Sequence, residues 1–398
     1  MRNQSMMKRW QDNKSRVFYN QKVTYLKFRV EFIKFTCNLT SSNKSLLSIL
    51  SMNIQFRLFF LTLLMGWCVC SCSTITQVPS LTEEEIEQEA EVQFELTKDR
   101  FIAGTQRIAD ASWPLITRNL ELCEGYTDFQ IGVWMARKII EDNAIDAMVW
   151  GVAKDSPAAL AGLQPRDMIV EVDENVVKNS TTASSQLNQA LRQFSKEGRT
   201  DPIELFVIRW ESESSFTPLS FSIQPVETCR SEIYLSGSLT FNAYASGRRI
   251  GVYTGLLNFL EKETDLQYIL AHELAHNVYG HVRKARARSI FGGLLDGALL
   301  TVGIWTDGLF TRLGLRTSSK RFENEADYIS MYLLANAGVD LDGVEDVWRR
   351  VSAQVGLKES GTHPSRPVRY LRMAKARQEI IDKIERGEPL TPELKRKR

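Results

Sequence analysis

The chain has four histidines among 398 residues, and three of them share one short segment, Ala-His-Glu-Leu-Ala-His-Asn-Val-Tyr-Gly-His. His272 and His276 are four positions apart, a spacing that brings two side chains to one face only in a helix. The flanking residues favour that helix, because Leu266, Leu270 and Leu274 recur near its period. The segment is therefore predicted to be a helix that presents both imidazoles together.

Two local patterns mark the ends of this helix. Thr264-Asp-Leu-Gln267 has the form of a capping box, which predicts that the helix begins there. Gly280 predicts its end, since glycine readily adopts the left-handed conformation that terminates many helices. We expect the two histidines to lie on a different side of the helix from the buried apolar stripe.

Two imidazoles on one face can bind one metal ion, and Glu273 between them is placed to act as a general base toward a water molecule. The alternative is a chance match on an ordinary amphipathic helix, and a third ligand would decide between the two. The metzincin pattern does not supply it, because Tyr279 and Val282 occupy its glycine and histidine positions. His281, one residue short of that place, is interpreted as a neighbour of the ligands or as an incidental polar residue at the helix end.

A better third ligand lies downstream, in the segment Arg-Phe-Glu-Asn-Glu-Ala-Asp. If residues 322–334 are helical, Glu323 and Asp327 share a face. Glu323 could then bind the metal, while Asp327 accepts a hydrogen bond from a ligand histidine and fixes its tautomer. The alternative is a solvated acidic start of a helix, favoured by the helix dipole.

The order His-Glu-x-x-His, Glu-x-x-Ala-Asp and Thr-His-Pro resembles the zinc metallopeptidase family of the CAAX prenyl endopeptidases, HtpX and BepA. The resemblance covers residues 232–376. It implies an α+β fold, with a mainly helical zincin-type (gluzincin-like) core and a small β-sheet. It also implies one zinc ion per chain, held by the two motif histidines and Glu323. Asn242 and Ala243 would lie on the edge strand that pairs with an extended substrate.

His363 and Arg369 are assigned by the same resemblance. In relatives, a histidine in the His-Pro segment approaches the metal and blocks it, or assists near the scissile carbonyl, so His363 is predicted to act at the catalytic site. Arg369 matches an arginine that could stabilise charge or the local fold. The alternative for His363 is structural, since with Pro364 it would simply begin the C-terminal helix.

A second module is predicted at residues 124–228, inserted into the first. Residues 156–172 resemble the PDZ signature of bacterial envelope proteases, with Arg166 where relatives have glycine. Alternating strands are expected at residues 202–210 and 219–224. The fold is therefore expected to combine the peptidase core with a β-rich PDZ domain.

The PDZ resemblance implies a peptide partner, bound as an added strand and often held by its C-terminal carboxylate. Residues 129–133 and 149–152 are both candidates for the carboxylate-binding loop. The alternative is a PDZ-shaped spacer without a ligand.

Cys123 and Cys229 flank the PDZ module, and in an oxidising compartment they would form a disulfide at its neck. The alternative is a pair of free thiols packed as small apolar side chains.

The N-terminal region resembles a bacterial lipoprotein signal. After Arg57, residues 58–67 form an apolar run too short to span a bilayer comfortably, followed closely by Val-Cys-Ser-Cys. The resemblance implies a signal peptide at residues 52–71 and a lipid on Cys72, with Ser73 favouring the periplasmic face of the outer membrane. The alternative is an uncleaved anchor with the peptidase outside the cytoplasm, facing the periplasm from the inner membrane.

The remaining boundaries follow from composition. Residues 1–51 carry ten basic residues against two acids and precede Met52, so they are predicted to be a gene-model extension. Residues 72–123 are expected to form the N-terminal helical part of the peptidase, residues 229–390 its core, and residues 391–398 a basic tail.

Residues 290–315 are rich in glycine, leucine and phenylalanine, but charged residues interrupt them. Neither half reaches the length of a membrane span. We expect a helical hairpin packed over the active site, with possible contact to a membrane surface.

The composition, 43% hydrophobic and 25% charged with a net charge of +2, is that of a globular protein and gives no reason to expect nucleic acid. The leading hypothesis is a membrane-anchored zinc metalloendopeptidase that acts on unfolded or misassembled envelope proteins. The second is a periplasmic chaperone or assembly factor whose peptidase site is latched. The third is a PDZ scaffold with an inactive catalytic domain, which the intact Glu273 and ligand set argue against.

Overall fold

The computed structural model describes residues 79–136, 147–177, 180–212, 215–301, 309–355 and 367–393. The helices within them are α1 (Glu83–Thr117), α2 (Pro157–Ala161), α3 (Ser180–Glu197), α4 (Thr254–Phe259), α5 (Glu263–Val278), α6 (His281–Thr301), α7 (Leu309–Asn336), α8 (Val344–Val355) and α9 (Pro367–Arg386). The strands are β1 (Thr127–Gln130), β2 (Val133–Met135), β3 (Val149–Val152), β4 (Met168–Val172), β5 (Asn175–Val176), β6 (Ile203–Trp210), β7 (Phe216–Ile223), β8 (Val226–Cys229), β9 (Glu232–Ser236), β10 (Ala243–Ala245) and β11 (Arg249–Tyr253). The protein is a mixed helix-and-strand structure, as predicted.

The long helix α1 begins with a capping box. The backbone N–H of Glu85 donates to Oγ1 of Thr82 at 3.2 Å, and the backbone N–H of Thr82 donates to Oε2 of Glu85 at 2.7 Å. The chain forms two compact units, and the described residues from Phe94 onward all belong to the second. Within that second unit, α1 buries the apolar face that runs from Phe101 to Ile116.

The predicted PDZ module has its own sheet, with strand order β5-β4-β6-β7 and antiparallel pairing throughout. The predicted strands at 202–210 and 219–224 overlap β6 and β7. Ile169, Leu205 and Leu187 of α3 belong to an apolar core separate from that of the peptidase region.

Arg166, which stands where the PDZ signature has glycine, adopts a left-handed backbone with φ of 77°. Glycine takes that conformation at no steric cost, whereas an arginine there is strained. The Arg166 guanidinium lies 2.6 Å from the Asp99 carboxylate of α1. The adjacent Asp167 is fully buried and accepts two hydrogen bonds from Arg209, each of 2.7 Å. The signature turn is thus preserved despite the substitution.

The two ends of the module meet at a neck. β1 pairs antiparallel with β8 from Thr127 opposite Cys229 to Gln130 opposite Val226. The structure joins Cys123 and Cys229 in a disulfide, with their Cα atoms 5.5 Å apart. The module therefore leaves and rejoins the peptidase region at one point.

The PDZ module also packs against the peptidase core. Trp134 of β2 belongs to the core cluster of the peptidase region, and its indole N–H donates to the Ile233 carbonyl of β9 at 2.8 Å. The side chain of Gln106 on α1 pairs with the backbone of Val152 through hydrogen bonds of 2.7 and 2.9 Å. These contacts fix β2 and β3 relative to α1 and β9.

The peptidase region surrounds α5 with a small mixed sheet and several helices. The sheet has the order β10-β11-β9, in which β11 is antiparallel to β10 and parallel to β9. Helix α5 contacts β10 and β11 as well as α6, α7 and α8, while α9 packs on α7 and α8. This arrangement holds α5 and α7 side by side.

Helices α6 and α7 pack against each other, in agreement with the predicted hairpin at residues 290–315, whose residues 302–308 lie outside the described ranges. Among the described helices, none has a stretch long and apolar enough to cross a membrane.

Candidate active site

Helix α5 differs from its predicted form in two respects. It begins at Glu263 with Lys262 as the N-cap and no side-chain cap, so the capping box predicted at Thr264 is wrong. Every residue from Asp265 to Asn277 is buried, so the helix has no single apolar stripe opposite the histidines. The reason is that α5 contacts the sheet and three helices. The predicted end is close, since α5 stops at Val278 and Gly280 has φ of 63°.

Three buried side chains converge from α5 and α7. Nε2 of His272 lies 3.2 Å from Nε2 of His276, and each nitrogen lies 3.3 Å from a different carboxylate oxygen of Glu323. All three side chains are buried. The structure therefore brings the three predicted metal ligands together from positions far apart in sequence.

The three ligand atoms fit a zinc ion. Zinc–nitrogen and zinc–oxygen bonds measure about 2.0–2.2 Å and are arranged tetrahedrally. A regular tetrahedron with such bonds has edges of about 3.3–3.6 Å. The observed separations of 3.2 and 3.3 Å match the lower end of that range. Two imidazoles and one carboxylate leave a fourth position open, the donor set typical of catalytic rather than structural zinc.

Asp327 supports His272 from the side away from Glu323. Its Oδ1 lies 3.0 Å from Nδ1 of His272, a contact that favours the tautomer protonated at Nδ1 and leaves Nε2 for the metal. Arg369 of α9 donates two hydrogen bonds of 2.6 Å to the Asp327 carboxylate. Burial alone would raise the pKa of Asp327, but Arg369 and His272 together outweigh it and the pKa is lowered. Arg369 thus lies behind the ligands, and its Nη2 is 3.7 Å from Oε2 of Glu323.

Trp348 of α8 is a site residue that the sequence interpretation missed. Its ring lies 4.9 Å from the ring of His272, and the Arg369 guanidinium sits over the same indole at 4.9 Å. Trp348 therefore restrains a ligand and the arginine at once. Nothing local in the sequence distinguishes this tryptophan from an ordinary core residue.

Of the two interpretations of His281 from the sequence, the structure supports a neighbour of the ligands over an incidental polar residue. It is the first residue of α6, it is buried, and its ring stacks on Phe322 at 4.6 Å with an interplanar angle of 10°. Its Nδ1 lies 3.1 Å from Nδ1 of His276, and its Nε2 lies 3.1 Å from Oε2 of Glu325. His281 connects a metal-ligand candidate to a carboxylate.

These contacts assign the tautomers. Burial first, and then the neighbouring His276, lower the pKa of His281 to about 3, so its ring is neutral at neutral pH. Its Nε2–H donates to Glu325, so its Nδ1 accepts a hydrogen bond from Nδ1–H of His276. That assignment leaves Nε2 of His276 unprotonated and directed at the other ligand atoms.

Replacing His281 with phenylalanine is expected to weaken zinc binding by about 10–100-fold, the usual cost of losing a partner of a metal-bound histidine. Phenylalanine keeps the stacking on Phe322 but offers His276 no acceptor. Zinc affinity is measured by competition with a chelator, with circular dichroism to verify folding. Glu325→Gln, which retains an acceptor oxygen for His281, should lose much less. Unchanged affinity in His281→Phe would show that the contact with His276 does not position the ligand.

The predicted substrate strand lies beside the site. Ala243 begins β10, which the strand order places at one edge of its sheet, and β10 contacts α5. Asn242 precedes it and accepts a hydrogen bond of 3.1 Å from the backbone N–H of Tyr253. The position of β10 suits the addition of an extended polypeptide.

Glu273 is buried on α5 between the two histidines. His363 and Cys72 lie outside the described residues, as do residues 1–78 and 394–398, so their roles stay predictions.

The two candidate carboxylate loops of the PDZ module differ in the structure. Residues 149–152 form the buried strand β3, whereas residues 129–133 run from β1 into β2, which pairs only with β3 among the described strands. The backbone N–H groups of Ile131 and Gly132 make no hydrogen bond to another described residue. Gly132 has φ of 82°, and a Cβ there would lie 2.2 Å from Cβ of Ser156. The segment at 129–133 is therefore the better candidate.

Residues 224–378 match the model of peptidase family M48, and residues 148–195 match that of a PDZ domain. Together with the buried His-His-Glu group, these matches support a metalloendopeptidase that carries a PDZ domain.

Similar curated proteins bear the name metalloendopeptidase OMA1. The mitochondrial OMA1 of Schizosaccharomyces pombe is 31% identical over 144 residues, which cover 34% of this chain and 43% of that protein. The Arabidopsis thaliana protein is 31% identical over 137 residues, 32% of this chain and 27% of the relative. The Danio rerio protein is 28% identical over 155 residues, which cover 33% of this chain and 32% of that protein. This chain thus spans less than half of each relative's length. The narrower resemblance to CAAX prenyl endopeptidases, HtpX and BepA stays a prediction.

Proposed function

We propose that this protein is a zinc-dependent metalloendopeptidase that cleaves unfolded or misassembled polypeptides in the bacterial cell envelope. The observation that carries the proposal is the buried triangle of His272, His276 and Glu323, with Glu273 on the same helix as the two histidines. The M48 match over residues 224–378 supports the same reaction class.

A zinc ion at these ligands would lower the pKa of water to about 7 and polarise a peptide carbonyl. The protein supplies the proton transfer through Glu273. Its carboxylate takes a proton from the attacking water and passes it to the departing amine. Asp327 and His281 hold the two histidine rings in the tautomers that leave Nε2 available.

The substrate class follows from β10. An edge strand binds a polypeptide mainly through main-chain hydrogen bonds, which tolerate many side chains. A folded protein rarely offers an extended backbone, so unfolded or misassembled chains are the substrates that suit this site.

The proposal is tested by metal content and casein cleavage. The wild-type protein should hold one zinc ion per chain and lose cleavage when chelated, with recovery on zinc addition. Glu323→Gln should lose zinc affinity by at least about tenfold, because a neutral amide replaces an anionic ligand. Glu385→Gln, an exposed glutamate of α9, is the matched control and should behave like wild type. A wild-type protein that binds no zinc would refute the proposal.

The location is proposed to be the periplasmic face of the outer membrane, reached through a lipid on Cys72. The Cys123–Cys229 disulfide supports an oxidising compartment outside the cytoplasm. The names of the OMA1 relatives place those proteins in mitochondria. Metabolic labelling with a radioactive fatty acid should mark the wild-type protein and leave Cys72→Ala unlabelled. Equal labelling of both would exclude this anchor.

A further inference from the structure

A cleft of about 880 Å³ lies between the PDZ module and the peptidase sheet. One wall consists of β2, residues 128–132 and the α3 helix. The opposite wall consists of β9, Ser246 and Arg248 of the turn between β10 and β11, Arg249 at the start of β11, and Arg286 of α6. The cleft is thus built by both regions and is distinct from the metal-ligand cluster, none of whose residues lines it.

The PDZ wall is suited to an extended polypeptide. β2 presents an edge that pairs with no described strand other than β3, and Leu187 and Leu191 of α3 lie across from it. The N–H groups of Ile131 and Gly132 stand at the start of β2, where a strand added antiparallel would end. The hydrogen bond from Trp134 to Ile233 fixes the spacing between the two walls.

The cleft carries an excess of positive charge. Among the described residues, five arginines and two acids line it, an excess of three positive charges. Arg230 lies 3.5 Å from Asp128, and Arg249 lies 2.8 Å from Glu232, so these two arginines have acidic partners.

The other three arginines are Arg192, Arg248 and Arg286. They are exposed, and their side chains form no ion pair or hydrogen bond with the described residues. They come from three separate elements, namely α3, the β10–β11 turn and α6. Three arginines from different elements that face one cleft form a site complementary to several negative charges along one ligand.

Strand addition of a polypeptide C-terminus to β2 is what the PDZ match leads us to expect. We infer that arginines of both the PDZ module and the peptidase region make this cleft selective for a C-terminus that is acidic. The inference rests on the proposed peptidase function and adds the chemistry of the polypeptide that the PDZ module selects. The terminal carboxylate is held by the N–H groups of Ile131 and Gly132. Acidic side chains of the ligand pair with Arg192, Arg248 and Arg286.

The consequence for the peptidase is a second recognition step. The β9 strand of the cleft and the β10 strand beside the metal site are the two edges of one three-stranded sheet. A polypeptide held by its C-terminus at the cleft is thereby kept near β10 at high effective concentration. Sequence preference arises in the cleft, whereas main-chain pairing at β10 tolerates many sequences.

The test uses fluorescence anisotropy with the full chain carrying Glu273→Gln, so that no peptide is cut. One labelled ten-residue peptide contains three acidic residues near its free C-terminus. A second peptide has asparagine or glutamine in place of those three residues. A third is the acidic peptide with an amidated C-terminus. The first should bind about tenfold more tightly than either of the others, because each loses part of its charge pairing.

Two triple variants distinguish the contribution of the cleft arginines from that of the protein's net charge. The triple variant Arg192→Gln, Arg248→Gln, Arg286→Gln should lose the tenfold preference for the acidic peptide. The control triple variant Arg100→Gln, Arg283→Gln, Arg372→Gln removes the same amount of positive charge from exposed arginines outside the cleft. This variant should retain the preference for the acidic peptide.

The inference would be overturned if both triple variants lost the preference for the acidic peptide equally. It would also be overturned if the wild-type cleft bound the acidic and amide peptides equally well. Absence of binding by every peptide would also overturn it, together with the peptide-binding role of the PDZ module. Zinc content and casein cleavage by the otherwise wild-type chain are measured separately, so a failure of the cleft is distinguishable from a failure of the peptidase.

Discussion

Replacing Glu273 with glutamine is expected to slow peptide-bond hydrolysis by about 10²–10⁴-fold while zinc stays bound. Glutamine preserves the volume of this buried side chain on α5 but cannot accept a proton from water. The zinc site is left intact, since the three ligand candidates are His272, His276 and Glu323. The measurements are kcat/KM on a fluorogenic peptide and zinc content by mass spectrometry.

The matched control is Glu263→Gln. Glu263 opens the same helix but is exposed, ten positions before Glu273. Its replacement should leave kcat/KM within about twofold of wild type, as for most surface substitutions. If Glu273→Gln retained full activity with zinc bound, another group would have to be the general base.

Replacing Arg369 with methionine is expected to lower the free energy of unfolding by about 3–5 kcal/mol, the cost of removing one partner of a buried ion pair. Arg369 and Asp327 are both buried, and two hydrogen bonds of 2.6 Å join them. Without the guanidinium, the Asp327 carboxylate remains buried beside His272. Denaturant unfolding at neutral pH measures the loss.

The same helix offers a control in Arg386, whose ion pair with Glu388 is 2.7 Å long and exposed on both sides. Arg386→Met should therefore cost far less than Arg369→Met. Comparable losses in the two variants would mean that the buried pair contributes no more than a surface pair.

The loss in Arg369→Met should also depend on pH. In the wild-type protein the pKa of Asp327 is lowered, so its contribution to stability is present above the unfolded value of about 3.9 and is lost as the pH falls further. In the variant, burial without Arg369 raises that pKa, so protonation relieves the buried charge as the pH falls. The difference in unfolding free energy between the two proteins should begin to shrink above pH 4, as Asp327 of the variant takes up a proton, and should shrink further below about pH 4, as the wild-type contribution is lost.

The parts of the site that were predictable have local or family-specific patterns. The spacing of His272 and His276 required a helix and a shared face, and the structure has both. Glu323 could be proposed from its spacing to Asp327 but preferred only with the resemblance, because an acidic pair at helical spacing is also consistent with a solvated surface. Its placement depends on α7, which begins at Leu309, well before the predicted start.

The parts that were missed depend on chain direction and packing. His281 follows a left-handed glycine, so its position relative to His276 is set by the turn between α5 and α6. Trp348 reaches His272 from a helix remote in sequence. The capping box at Thr264 was wrong because a local pattern does not exclude an N-cap two residues earlier, at Lys262.

The disulfide at the neck has a mechanical consequence. Cys123 and Cys229 are 106 positions apart along the chain, yet their Cα atoms are separated by 5.5 Å. Tension applied between α1 and β9 passes through the sulfur bridge, so the strands of the PDZ module bear none of it. A force that pulls α1 away from β9 is therefore carried by the disulfide, which bypasses residues 124–228. Such a force does not unfold the inserted module.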